Sequence, residues 1–224
     1  MRKYFLLSFV LYVLTACAQN EKPGHEFVDL GLSSGTLWAT CNVGADSVTG
    51  LGQYFAWGEV KTKQVYAWDN YKWSVKGDSV MTKYCSSTYC GKVDLKYVLL
   101  PADDVATVLW GNEWCMPTFS DLDELQRECQ WVWQNNYKDS GVNGCLVVGP
   151  NGNSLFFPAA GKCDDDEMEN VNAECDYWTS SVLYTYNEAA NVFNLCSEGS
   201  LTDALERCEG CSVRPVRVRP EASE

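Results

Sequence analysis

The cysteines are the residues best suited to chemistry. Eleven follow position 17: Cys41, Cys85, Cys90, Cys115, Cys129, Cys145, Cys163, Cys175, Cys196, Cys208 and Cys211. Cys208-Glu-Gly-Cys211 has the spacing of a redox or metal-binding pair, but a tetrahedral zinc site needs further soft ligands. The single histidine, His25, lies near the opposite end of the chain, a poor place for the base that a thiol nucleophile requires. Cys85 and Cys90 could close a small local loop, and an odd count leaves at least one thiol unpaired or joined to another chain. The run Asp164-Asp165-Asp166-Glu167, with Glu169, offers hard oxygen ligands for calcium. Its spacing is not that of an EF-hand loop, so it reads as a solvated acidic loop. Recognition has better material. Tyr184, Tyr186, Asn187, Asn191, Asn194, Asp203 and Glu206 lie between two expected strands. Tyr presents a rigid apolar face with a polar tip, and Asn both donates and accepts. These seven are the candidate ligand-binding residues. No catalytic residue, metal ligand or cofactor is expected.

The N-terminus sets the compartment. Arg2 and Lys3 precede an almost unbroken apolar run, Tyr4 to Leu14, which ends in Leu14-Thr15-Ala16-Cys17. A basic head, a short apolar stretch and small residues before a cleavage point read as a secretory signal. The run is short of the ~20 apolar residues that a spanning helix needs. Leu-Thr-Ala-Cys resembles a bacterial lipobox, which implies that Cys17 becomes the acylated first residue of the mature chain. Loss of Arg2 and Lys3 takes the formal charge from −13 to −15. Such a surface repels phosphates, which excludes nucleic acid as a partner. The expected organisation is a signal peptide at 1–16, a lipidated tether at 17–24, one domain at 25–219 and a tail at 220–224. Export also permits disulfides, which favours them or free thiols over zinc.

The elements that must position these residues are short. Phe27–Leu32 and Thr36–Cys41 read as strands flanking the turn Ser33-Ser34-Gly35. Tyr54-Phe55-Ala56-Trp57-Gly58 reads as a buried aromatic stretch. Residues 61–96 lack a period and read as a long loop held by Trp68, Tyr71 and Trp73, with Trp68 and Trp73 the better exposed tryptophans. Trp38, Trp57, Trp110, Trp131, Trp133 and Trp178 are expected mostly in the core. A helix over Pro101–Trp110 carries acids in its first turn, an apolar face of Val105, Val108 and Leu109, and a stop at Gly111. A second starts at Thr118, where Thr118-x-x-Asp121 has capping-box spacing. It directs Phe119, Leu122, Leu125 and Cys129 inward, with Asp121, Asp123, Glu124 and Arg127 outward. Strands follow over Gln130–Gln134, Gly144–Gly149 and Asn153–Ala159, the last two joined by Gly149-Pro150-Asn151-Gly152. Asp176–Val182, Ala190–Leu195 and Ser212–Val218 close the domain. The fold class is α+β: two short helices packed on small antiparallel sheets with long ordered loops.

Several blocks, in this order, resemble one known family. Val28-Asp29-Leu30-Gly31-Leu32-x-Ser34-Gly35-Thr36-Leu37-Trp38-Ala39-Thr40-x-Asn42-Val43-Gly44-Ala45 is similar to the opening of exported Bacteroidetes lipoproteins that carry the Fibrobacter succinogenes major paralogous domain. Tyr54-Phe55-Ala56-Trp57-Gly58-Glu59, Met116-Pro117-Thr118, Gly149 to Ser154 with Phe157 to Gly161, Tyr177-Trp178-Thr179-Ser180-Ser181 and Ser212-Val213-Arg214-Pro215-Val216-Arg217 match later blocks. The resemblance covers essentially all of residues 27–219. It implies a C-type-lectin-like fold, of the variety shared with formylglycine-generating enzymes, with Ser181 to Gly210 as the ligand-facing interval. Cys115 departs from the family's Arg before Met-Pro-Thr. The expected function is a lipid-anchored module of the cell envelope, in the outer membrane through Cys17, that binds a glycan or protein ligand. The alternatives are a cysteine-dependent enzyme related to formylglycine-generating enzymes, or a structural envelope protein.

Overall fold

The two ends of the domain meet on one strand. β1 (Phe27–Asp29) and β2 (Leu37–Ala39) form a hairpin, and the last strand, β13 (Val216–Arg217), pairs antiparallel with β2 on its other side. The computed structural model describes residues 25–75 and 77–217. The expected signal peptide, Cys17, the tether and the tail lie outside the described residues. Among the described residues, no helix is long and apolar enough to cross a membrane.

Both helices are set by their caps. The Asp104 side chain accepts from Thr107 N, which starts α1 (Val105–Trp110). Pro101 to Asp103 therefore form a turn ahead of it and not its first turn. Gly111, at φ 102°, ends it as expected. The apolar face expected for α1 is corrected: Val105 is buried, but Val108 and Leu109 are 46% and 47% exposed. The capping box at Thr118 and Asp121 is present and starts α2 (Phe119–Glu128). Leu122 and Leu125 enter the core, whereas Phe119 stays 40% exposed. Glu124 does not face outward. It is buried because its carboxylate accepts from Ser34 N (2.7 Å) and Ser34 Oγ (2.6 Å), closing the β1–β2 turn.

A meander follows: β4 (Gln130–Gln134), β5 (Gly144–Val148) and β6 (Ser154–Pro158), paired in that order. Its second turn is the Gly149–Gly152 segment. Gly149 is obligatory there, because a Cβ would lie 2.1 Å from Leu30 O. β3 (Phe55–Ala56), β12 (Gly210–Cys211), β7 (Lys162–Asp164) and β8 (Glu167–Glu169) make a four-stranded sheet in that order. The acidic run thus forms the β7–β8 hairpin and not a free loop. The third large element is β9 (Glu174–Val182), β10 (Ala189–Cys196) and β11 (Gly199–Glu206), with β10 central. β11 is a correction, since that stretch reads as loop in the sequence. The coarse expectation, small antiparallel sheets with two short helices, holds.

Two indoles staple the core. Trp57 Nε1 donates to Thr179 O (2.8 Å) and Trp178 Nε1 to Phe55 O (2.7 Å), so β3 and β9 are tied in both directions. Trp38, Trp57 and Trp178 are fully buried, whereas Trp110, Trp131 and Trp133 are only partly so. Arg214 is 1% exposed with no carboxylate among its hydrogen-bond partners. It donates to Asn42 Oδ1 (2.8 Å) and to the carbonyls of Ala39, Thr40 and Phe156, and its guanidinium lies 4.7 Å above the Phe157 ring. Burial without a counter-ion lowers its pKa. The planar five-donor fork is what allows one side chain to join three segments of backbone.

Candidate functional site

The surface that the sequence marks for recognition is built on a second buried arginine. Arg207 follows β11 and is 0% exposed. Nε donates to the Tyr71 hydroxyl (2.9 Å), and the two terminal nitrogens donate to Asn187 O (2.9 Å), Tyr84 O (3.3 Å) and Lys83 O (3.2 Å). The cation sits 4.6 Å above Trp57 and near Tyr71 and Tyr84, whose ring faces supply the negative potential that a carboxylate would otherwise give. Arg207 therefore holds two loops at once: residues 83–98 and residues 183–188.

Each loop is braced again from within. Asp94 accepts from the backbone of Tyr84 (3.2 Å), Cys85 (3.0 Å) and Lys96 (3.3 Å) and from Lys96 Nζ (3.2 Å). Burial opposes its ionisation, but these bonds prevail and keep its pKa below the ordinary value. Asn187 joins the two loops. Its Oδ1 accepts from Ser86 N (2.6 Å) and Ser86 Oγ (2.7 Å), while Nδ2 donates to Leu183 O and Tyr184 O. Asp103 braces the floor, taking the Tyr84 hydroxyl (2.6 Å), Lys72 (3.2 Å) and Lys83 on one buried carboxylate. Desolvation works against that charge, and the three donors outweigh it, so its pKa is lowered.

What this frame presents outward is tyrosine. Tyr184 is 65% exposed and its ring lies 5.4 Å from that of Tyr97. Tyr186 is half exposed, and its bond to Glu188 and partial burial push the phenol up to about 12. Tyr89, at 97%, and Leu95 are also exposed on the 83–98 loop. Phenol rings on a backbone fixed by buried bonds lose little entropy when a ligand stacks on them.

The seven sequence candidates divide accordingly. Tyr184 and Tyr186 stand on this face. Asn187 lies beneath them, 1% exposed with its amide fully engaged, so it orders the loops and is not presented to a ligand. Asn191 sits at the irregularity in β9–β10 pairing and donates to Ser181 O (3.2 Å) and Val182 O (3.0 Å). Asn194 donates to Asp176 Oδ1 (2.7 Å). Exposed Asp203 accepts from Ala204 N, and exposed Glu206 from Trp68 Nε1 (2.8 Å). Asn191, Asn194 and Asp203 are spread along the β10–β11 hairpin, whereas Glu206 lies near enough to Tyr186 to help raise its pKa. Tyr89 and Tyr97 were missed. Their only sequence signal is aromatic character inside a Lys-rich stretch without period.

The thiols have a different character. Cys208 is 3% and Cys211 0% exposed, and burial raises both pKa values, which keeps them protonated and shielded. All eleven described cysteines stand as thiols. His25 stacks on Trp110 at 3.6 Å, at the edge of a separate groove. Among the described residues no group of three His, Cys, Asp or Glu side chains is placed to hold a metal ion. Trp68 and Trp73 are partly buried, not exposed, and Trp73 Nε1 is spent on Gly58 O (2.8 Å).

No protein-family model, curated protein or solved structure matches the chain.

Proposed function

We propose that this protein is a lipid-anchored binding module of the cell envelope, held in the outer membrane through acylated Cys17, that captures a glycan or protein ligand on the Tyr97–Tyr184–Tyr186 face. One observation carries the reading: exposed aromatic rings stand on loops that a fully buried, carboxylate-free Arg207 fixes to the core. Rings left in solvent on a rigid frame have no packing role of their own, and tyrosines of this kind are enriched where proteins bind. The C-type-lectin-like reading of the fold, and the likeness to the Fibrobacter succinogenes major paralogous domain, are supported by the meeting of first and last strands on β2 and by long ordered loops over paired sheets. Binding is favoured over cysteine chemistry because the C-x-x-C thiols are buried and protonated.

The test is a screen of glycan and protein arrays with the purified protein, followed by Tyr184→Ala, Tyr186→Ala and Asn191→Ala. The two tyrosine changes are expected to weaken any ligand found by roughly ten-fold each, a typical loss for an aromatic contact. Asn191→Ala tests the hairpin, and a large loss there with none at the tyrosines places the ligand elsewhere. A ligand whose affinity ignores all three refutes the site.

A further inference from the structure

We propose that the protein rests a defined face on the membrane that anchors it: the surface of Phe27, Val108, Leu109 and Trp110 beside His25. This rests on the reading of Cys17 as the acylated residue. α1 supplies the anomaly. Of its five apolar residues Val105 and Ala106 are buried and Trp110 is partly buried, leaving Val108 and Leu109 almost half exposed. Single exposed apolar residues are ordinary, but these are grouped. His25 stacks on Trp110 at 3.6 Å, and a groove of about 750 Å³ runs past His25, Val43, Leu109, Trp110 and Trp114. Phe27, 44% exposed, continues the patch across Arg217, whose guanidinium lies 4.4 Å from Phe27 and 5.6 Å from Trp114.

The position of this patch selects its occupant. His25 lies on it, and only residues 18–24 separate His25 from Cys17. Fully extended, that stretch spans at most ~28 Å. Acyl chains on Cys17 therefore keep the bilayer within one short tether of this face, which holds the residue where the tether ends. An aromatic ring that mixes apolar body and polar tip suits the headgroup level of a bilayer. Glu113 borders this groove and is paired with Arg217 at 3.5 Å, while Glu26 and Asp46 line a second hollow that His25 and Trp110 also border, and the charge of these two disfavours anionic lipid. The fitting partner is a zwitterionic lipid surface.

The experiment uses the full acylated chain in phosphatidylcholine vesicles whose acyl chains carry bromine near the headgroup. Bromine quenches indoles that reach the interface. The wild type is expected to be quenched, and Trp110→Phe is expected to remove most of that quenching. Val108→Ser with Leu109→Ser, at exposed positions that leave the fold intact by circular dichroism, is expected to lower it roughly two-fold or more, given the apolar area lost. An acylated chain whose fluorescence is unquenched, or is quenched equally after Trp110→Phe, overturns the proposal and leaves the anchor standing. Mass spectrometry that finds no acyl group on the mature chain overturns both, because nothing then brings lipid to this face.

Discussion

Asp176 makes the stability of this protein depend on pH with a sign that can be worked out. It lies in β9, 2% exposed; Oδ1 takes a hydrogen bond from Asn194 at 2.7 Å, and Oδ2 has no partner. Burial raises its pKa from 3.8 to about 6; the Asn194 bond and Lys162 oppose this, while Glu174 and Glu209 add to it. In the unfolded chain the carboxyl releases its proton near 3.8. Between the two values the folded protein keeps a proton that the unfolded chain has lost. The stability this gives is complete below about pH 4 and is gone above about pH 6. A shift of about two units corresponds to roughly 3 kcal/mol at ~1.36 kcal/mol per unit. Asp176→Asn cannot ionise and retains an oxygen for Asn194. Urea unfolding of both proteins should be measured at pH 4, 5, 6 and 7. The stability of the Asn variant relative to wild type is expected to rise by about 3 kcal/mol across that range and then level off. Contributions from carboxylates that do not interact with Asp176 cancel in the difference. A difference that stays flat, or that falls as pH rises, would mean that Lys162 or water satisfies the carboxylate, and the reasoning is then refuted.

Four further outcomes are expected. Arg207→Met strands the carbonyls of Lys83, Tyr84 and Asn187 in a dry core, and should cost about 3 kcal/mol or more by thermal unfolding. Arg207→Lys should rescue little, because a point charge with three donors cannot reach four acceptors in one plane. Thr118→Ala removes half of the capping box on α2 and should cost about 1 kcal/mol in urea titration. Gly161→Ala places a methyl 2.0 Å from Glu169 O at φ 58°, so soluble yield and melting temperature should both fall, whereas Gly152→Ala, which meets nothing within 4 Å, should be milder.

Local signals were legible where local chemistry decides. The Thr118–Asp121 box, the Gly111 stop and the Gly149–Gly152 turn all form because a side chain or a missing Cβ acts within a few residues of itself. Errors arose where a distant partner decides. Glu124 lies on what reads as the outer face of α2, but Ser34, far away in sequence, draws it inward. Asn187 reads as a surface amide, yet Ser86 lies across from it. β11 was invisible because Asp203 breaks the apolar alternation. The strand forms all the same, since β10 offers it a full register from Ala189↔Glu206 to Cys196↔Gly199.

The two buried arginines show why the candidate site was only half legible. A sequence reading places a cation at the surface, because an isolated charge is expensive to bury. Arg207 and Arg214 escape that rule by dividing the charge among carbonyls, a hydroxyl or an amide oxygen, and aromatic faces. Ala39 and Phe156 lie in β2 and β6, whereas Thr40, Asn42, Tyr71, Lys83, Tyr84 and Asn187 lie in segments with no regular structure of their own. The 83–98 and 183–188 loops are thus ordered by the Arg207 cation between them as well as by pairing with β9, where Val182 N donates to Tyr97 O at 2.9 Å. It follows that the tyrosine face and the core are one energetic unit. A change beneath the face, at Arg207, Asn187 or Asp94, should loosen Tyr97 and Tyr184 without touching either ring, and ligand affinity should fall with loop order.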